Sequence, residues 1–130
     1  MQIDAMTPLL NVEDIERSID FYSTHLGFQV AQRAESGGAT VWAVLQQGPA
    51  KLMVNRPGKA DSTDRRRRPG YSDLVLYLYV PSARDSHAAL QAANVTVSDV
   101  TLEPYGVEEF RLRDPDGYEL AIVSPTVRIA

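Results

Sequence analysis

Cysteine is absent from the 130-residue chain. Its absence excludes a disulfide scaffold, a thiolate nucleophile and any Cys-ligated zinc or iron–sulfur site. No apolar run approaches the ~20 residues of a membrane span. The opening Met1–Thr7 lacks the basic and apolar regions of a signal peptide, so the expected location is cytoplasmic. Basic residues are the scarcer charge, 13 Lys and Arg against 17 Asp and Glu, for a formal charge of −4. Arg65–Arg68 alone carry four positive charges, which leaves −8 on everything else. A body that acidic is a poor template for phosphate backbones, and nucleic acid is not an expected partner. What remains is ordinary: 44% apolar and 23% charged residues, with eight glycines and eight prolines. That composition rules out wholesale disorder and fibrous classes. A chain of this length is one domain by the usual size range, and it buries about two-thirds of its unfolded surface.

The stretch 56–70 holds Pro57, Gly58, Pro69 and Gly70 beside the four arginines and has almost no apolar residue. It reads as a solvated loop joining two modules, about 5–57 and 72–125. Arginine forks also suit carboxylates and phosphates. An anion clamp at a ligand mouth is the sharper alternative, and the loop does not choose between them. Comparison of its two sides reveals a repeat. At an offset of 68, Met6, Pro8, Leu10 and Val12 lie over Leu74, Leu76, Leu78 and Val80. One deletion in the helix puts Leu26-Gly27-Phe28 over Ala93-Asn94-Val95. At the restored offset Trp42, Val44, Leu52, Met53 and Val54 lie over Phe110, Leu112, Leu120, Ala121 and Ile122.

Each half reads as strand, helix and three strands, an α+β pattern. In the first, an alternating Thr7–Val12 precedes a helix from about Asp14 to Leu26, where Ile15, Ile19, Tyr22 and Leu26 form one apolar stripe. Asp14 suits the N-cap and Gly27 the left-handed position after the helix. Strands are expected near Phe28–Arg33, Thr40–Leu45 and Lys51–Asn55. The second half predicts a strand at Leu74–Val80, a helix from Ser82 to Ala93 with Asn94 as its stop, and strands near Val95–Thr101, Val107–Arg113 and Glu119–Val123. Asp114-Pro115-Asp116-Gly117 is a strong hairpin turn.

One helix covers only one face of a four-stranded sheet. In Leu74–Val80 the even positions are uniformly apolar and form the natural helix-facing set. Val75, Tyr77 and Tyr79 then point the other way. Tyrosines there suit a pocket, each ring being apolar with one polar handle, and they suit an ordinary inter-sheet core equally well.

The strings Val12-Glu13-Asp14, Phe21-Tyr22 and Leu26-Gly27-Phe28 resemble the V-x-D, FY and LGF pattern of the vicinal oxygen chelate superfamily. Glu103-Pro104-Tyr105-Gly106, then Phe110 through Asp114-Pro115-Asp116-Gly117-Tyr118, resembles its ending. That superfamily includes glyoxalase I, extradiol dioxygenases, fosfomycin-modifying enzymes and bleomycin-resistance proteins. The resemblance spans about Met6 to Ser124. It implies paired βαβββ modules whose curled mixed sheets surround a cleft, usually in homodimers. It leaves the activity open, since fold does not imply function.

The resemblance also implies one divalent metal, held by a His, Gln or Glu on each module's first strand and a Glu on a last strand. Carried over by position, those ligands fall on Thr7, Val75 and Ala121. A valine and an alanine cannot coordinate, and a threonine hydroxyl is a poor ligand for such metals. The neighbouring carboxylates Asp73 and Glu119 are assigned to the opposite strand face. No metal and no other cofactor is therefore expected; a divalent metal held by unorthodox ligands is the alternative.

Other candidates are weighed in the same way. His25 and His87 fall on helices with no partner spacing and read as surface or boundary residues. Asp114 and Asp116 sit in a tight turn and read as structural. If Phe110 and Leu112 face the helix, Glu109 and Arg111 face the cleft, where they either orient a polar ligand or pair with each other at a rim. The inward set of the first module is read as Thr7, Leu9, Asn11, Val41, Ala43 and Met53, with Trp42 assigned to the helix-side core. Three readings follow. The favoured one is a metal-free protein binding a small amphiphilic or aromatic molecule through Thr7, Asn11, Met53, Val75, Tyr77, Tyr79, Tyr105, Glu109, Arg111 and Ala121. The others are a lyase, isomerase or dioxygenase, with Glu109 as a weak acid/base candidate, and a non-catalytic interaction module.

Overall fold

Asp14 and Ser82 open the two helices, as their side chains require. In the computed structural model, which describes residues 1–57 and 74–126, helix α1 runs Ile15–Thr24 and helix α2 runs Ala83–Ala92. Asp14 Oδ1 accepts a hydrogen bond from the Arg17 amide at 3.2 Å, and Ser82 Oγ accepts one from the Asp85 amide at 3.1 Å. Each satisfies an amide that the first helical turn leaves free. Gly27 and Asn94 follow the helices with φ of 76° and 62°, the left-handed turn that ends them. Arg65–Arg68 and Asp73 lie outside the described residues.

The chain divides into two units, Met1–Arg67 and Arg68–Ala130, each a four-stranded mixed sheet with one helix. The first sheet contains β1 (Leu9–Asn11), β2 (Gln29–Ser36), β3 (Ala39–Gln47) and β4 (Ala50–Asn55), in the order β1-β4-β3-β2. The second contains β5 (Val75–Tyr79), β6 (Thr101–Glu103), β7 (Val107–Arg113) and β8 (Glu119–Pro125), in the order β5-β8-β7-β6. In both, the first strand runs parallel to the fourth and the other pairings are antiparallel. A parallel pair needs a crossover connection, and the helix supplies the start of it. This is the expected tandem βαβββ arrangement.

The apolar stripe of α1 buries Ile15, Ile19 and Tyr22 toward β3 and β4, whose Leu45, Leu52 and Val54 are buried together with Leu10 of β1. The Tyr22 ring stands edge-on to Phe21 and Phe28, with centroids 5.3 and 5.9 Å away. In the second unit Ala83 and Leu90 of α2 are buried with Phe110, Leu112, Leu120 and Ile122. Each large apolar side chain so buried contributes roughly 1.5–3 kcal/mol.

Two expectations are corrected. The offset of 68 holds for the first and fourth strands, where Leu10 beside Val54 matches Leu78 beside Ile122. In the third strand Ala43, opposite Val54, matches Phe110, opposite Ile122, so the offset there is one residue shorter. The cause is one extra residue between matched pairs in the β7–β8 hairpin: Phe110 and Ile122 are 12 positions apart, Ala43 and Val54 only 11. Trp42 therefore shares a face with its partner Asn55 and with Met53, while Ala43, fully buried, faces the helix. Val41 sits in a bulge between Thr40 and Trp42. The other correction concerns Val95–Thr101, which is not a strand before Thr101. Ser98 holds that segment to β7: its amide donates to Arg111 O at 2.9 Å and its hydroxyl accepts from the Arg111 amide at 2.7 Å. One residue, through its amide and its hydroxyl, does the work of a ladder.

Candidate functional site

Strand pairing in the second unit builds a polar face opposite α2. Phe110 turns to the helix, where the His87 ring stands edge-on to it at 5.1 Å. Alternation then sends Glu109, Arg111 and Arg113 to the open face. There they lie across from Val123, Ala121 and Glu119 of β8, and β5 adds Tyr79, Tyr77 and Val75 beside those same three residues. Tyr77, Ala121 and Arg111 thus form one cross-strand row.

Arg111 is the hub of this face. Its Nε donates to Glu109 Oε2 at 3.1 Å and its Nη1 to Glu119 Oε2 at 3.3 Å. Its Nη2 donates to the Tyr77 hydroxyl at 3.1 Å, and the guanidinium carbon lies 5.6 Å from the centre of that ring. The Tyr105 hydroxyl donates to Glu109 Oε1 at 3.2 Å. Glu109, only 6% exposed, therefore has both oxygens engaged, as a buried carboxylate must. Desolvation opposes the Arg111 charge, but the bonds to Glu109 and the charge of that carboxylate outweigh it and raise its pKa. The Tyr105 phenol is raised by desolvation first, and then by the charge of Glu109 and the hydrogen bond to it.

Of the candidates in this unit, Tyr77, Tyr105, Glu109 and Arg111 are brought together, with Ala121 and Val75 in the sheet beneath. Tyr79 shares the face but stands 80% exposed. Glu119 corrects the sequence reading. It lies two residues from Ala121, and two steps along a strand return to the same side; it is part of the face, bound to Arg111 at 3.3 Å and 3.9 Å from Arg113. The pairing of Glu109 with Arg111 is seen as well, around a buried carboxylate and not at a solvated rim. Asp114 has the structural role expected of it, its Oδ1 accepting from the Asp116 and Tyr118 amides at 2.9 Å each.

In the first unit the open face carries a cleft of about 250 Å³ lined by Thr7, Ala31, Gln32, Val44, Gln46, Lys51 and Met53. Thr7 and Met53 are brought together there. Asn11 lies farther along the sheet, its Oδ1 accepting from Asn55 Nδ2 at 3.1 Å. Gln32, Gln46 and Lys51 were missed by sequence reasoning. The available signal was alternation, since Lys51 lies two residues from Met53 and pairs with Gln46.

The residues at the expected metal positions do not fit a metal. Val75 and Ala121 offer no lone pair, and Thr7 offers only a hydroxyl. The carboxylates nearest Ala121 on its face are already bound to Arg111. Among the described residues, no group of three or more His, Cys, Asp or Glu side chains converges on one point.

The chain is similar to TnmS3, an antibiotic binding protein from Streptomyces sp. CB03234, with 20% identity over 96% of this chain and 98% of the other, at a TM-score of 0.75. It is similar to the bleomycin resistance determinant encoded on transposon Tn5, at 21% identity over 96% and 100%, with a TM-score of 0.71. A lactoylglutathione lyase from Agrobacterium tumefaciens matches at 15% identity over 95% and 96%, also with a TM-score of 0.71. No curated protein matches the sequence. The family model for the Glyoxalase/Bleomycin resistance protein/Dioxygenase superfamily matches residues 2–122, and with tandem βαβββ units that each carry its strand order, the chain belongs to that superfamily.

Proposed function

We propose that this protein binds a small amphiphilic or aromatic molecule without a metal and without turning it over. One observation carries the reading. On the open face of the second sheet a guanidinium, Arg111, bridges Glu109 and Glu119, so the cationic charge among those carboxylates comes from the chain itself. On the same face stand three exposed tyrosines, Tyr77, Tyr79 and Tyr105, residues that are 42%, 80% and 65% exposed. Rings with polar handles bind flat apolar molecules and fix their orientation. The binding and resistance functions named for TnmS3 and the Tn5 determinant accord with this reading.

Thermal-shift screening of aromatic and amphiphilic compounds, run beside elemental analysis of the purified protein, tests it. Saturable stabilisation by at least one compound recovered unchanged, with no stoichiometric metal retained, supports the proposal. Stoichiometric metal, together with turnover that a chelator abolishes, overturns it.

A further inference from the structure

The cleft on the first sheet has a charge character of its own. Val44, Met53 and Ala31 make its apolar part, while Thr7, Gln32, Gln46 and Lys51 bring hydrogen-bonding groups to the same space. Among the described residues Lys51 is its only ionisable lining residue, and no ion pair engages it there. The Gln46 amide nitrogen is turned away to Gly48 O at 3.2 Å. The Thr7 hydroxyl and the Gln32 amide remain as neutral donors lining the same cleft as Lys51. At about 250 Å³ the space is smaller than the roughly 300–1,000 Å³ of drug-sized pockets, which calls for a compact guest.

We infer that this cleft takes a compact aryl or alkyl carboxylate, its tail on Val44 and Met53 and its carboxylate on Lys51. The inference rests on the small-molecule reading above and names the chemical class for this cleft. Thr7 and Gln32 supply donors to the oxygen that Lys51 does not take. An amine would set its charge against Lys51, and a neutral amide would keep the apolar contact but lose the ion pair.

Three probes of one shape separate these cases: 3-phenylpropionate, 3-phenylpropanamide and 3-phenylpropylamine, titrated by calorimetry at low salt. Lys51 lies exposed on β4, so the ion pair is a solvated one, and the acid is expected to bind roughly fivefold more tightly than the amide. The amine binds most weakly of the three. The acid's advantage shrinks at high salt because the charges are screened. Lys51→Met weakens the acid more than the amide and so removes the preference for the acid, and Lys51→Arg keeps it. Met53→Trp, which fills the cleft, weakens acid and amide together. Equal binding of acid and amide, or an acid preference that survives Lys51→Met, overturns the inference and leaves the small-molecule reading standing on amide binding. Failure of all three probes also overturns it, and that outcome is told apart from failure of the broader reading by the compound screen.

Discussion

A carboxylate as enclosed as Glu109, its side chain 7% exposed, needs its charge balanced on the spot. Arg111 does so while itself 35% exposed, so water screens part of the interaction. Arg111→Met is expected to cost about 1–3 kcal/mol in urea denaturation, mostly from leaving Glu109 unpaired. The double variant with Glu109→Gln should recover part of the loss, and a strictly additive result would show that the two side chains are not coupled. Tyr105 supplies a pH readout. Its phenol is raised by desolvation, by the charge of Glu109 and by the hydrogen bond to it. The folded protein thus holds this proton more tightly than the unfolded chain. The associated stability is complete below the ordinary tyrosine value of ~10 and is lost as pH rises through the higher folded value. The phenolate absorbance that Tyr105→Phe removes should be a late-titrating component. Glu109→Gln should bring it back toward the ordinary value, and Tyr105→Phe should flatten the alkaline decline in stability. These residues were partly legible beforehand. Alternation from Phe110 places Glu109 and Arg111 on one face, and the same rule applied from Ala121 places Glu119 there too. The grip of Arg111 on two strands was not legible, because Glu119 is brought beside it by the β7–β8 register and Tyr77 by the β5–β8 pairing.

The helix ends are the elements whose sequence signals translate most directly into structure. Asp14, Ser82, Gly27 and Asn94 all act within a few residues of themselves, and local chemistry needs no tertiary information. Asp14→Ala and Ser82→Ala are each expected to cost about 1 kcal/mol through the lost amide acceptor. Gly27→Ala should cost more than a cap. Its φ is 76°, and an added Cβ would stand 2.6 Å from Gln47 Nε2. That amide donates to Leu26 O at 3.2 Å and Gly27 O at 3.0 Å, tying the helix exit to the end of β3. About 1–2 kcal/mol for the left-handed backbone plus the displaced amide is the expectation, checked by chemical denaturation. Gly27→Asn should cost less, since asparagine tolerates this conformation better. Strand signals were less reliable than helix ends. Val95–Thr101 has an apolar start and strand-like composition, yet Ser98 offers the backbone a different partner, a competition that propensity does not register.

At the scale of the whole molecule, the fold is similar to that of a lactoylglutathione lyase and to that of an antibiotic binding protein, so the fold by itself does not set the activity. If Thr7, Val75 and Ala121 do leave this protein without a metal, adding Zn²⁺, Mn²⁺, Ni²⁺ or Fe²⁺ and then a chelator should leave the melting temperature unchanged. A bound organic ligand should raise the melting temperature with concentration, as RT ln(1 + [L]/Kd) requires. A metal-dependent rise reversed by the chelator would point to donors outside the expected set. The order of residues alone carries the two βαβββ repeats, both helix caps, the DPDG turn and the poor coordinating power of the positions that resemble the family's ligand sites, because each is expressed in local chemistry or in a period of two or 3.6. Folding was needed for the rest. A one-residue difference in the span between paired positions of the two hairpins moved Trp42 to the open face and Ala43 to the core. Pairing between distant strands put Arg111 between two carboxylates and gathered Lys51, Gln32 and Thr7 around one cleft. Register is a property of two segments at once, so neither segment's own sequence contains it.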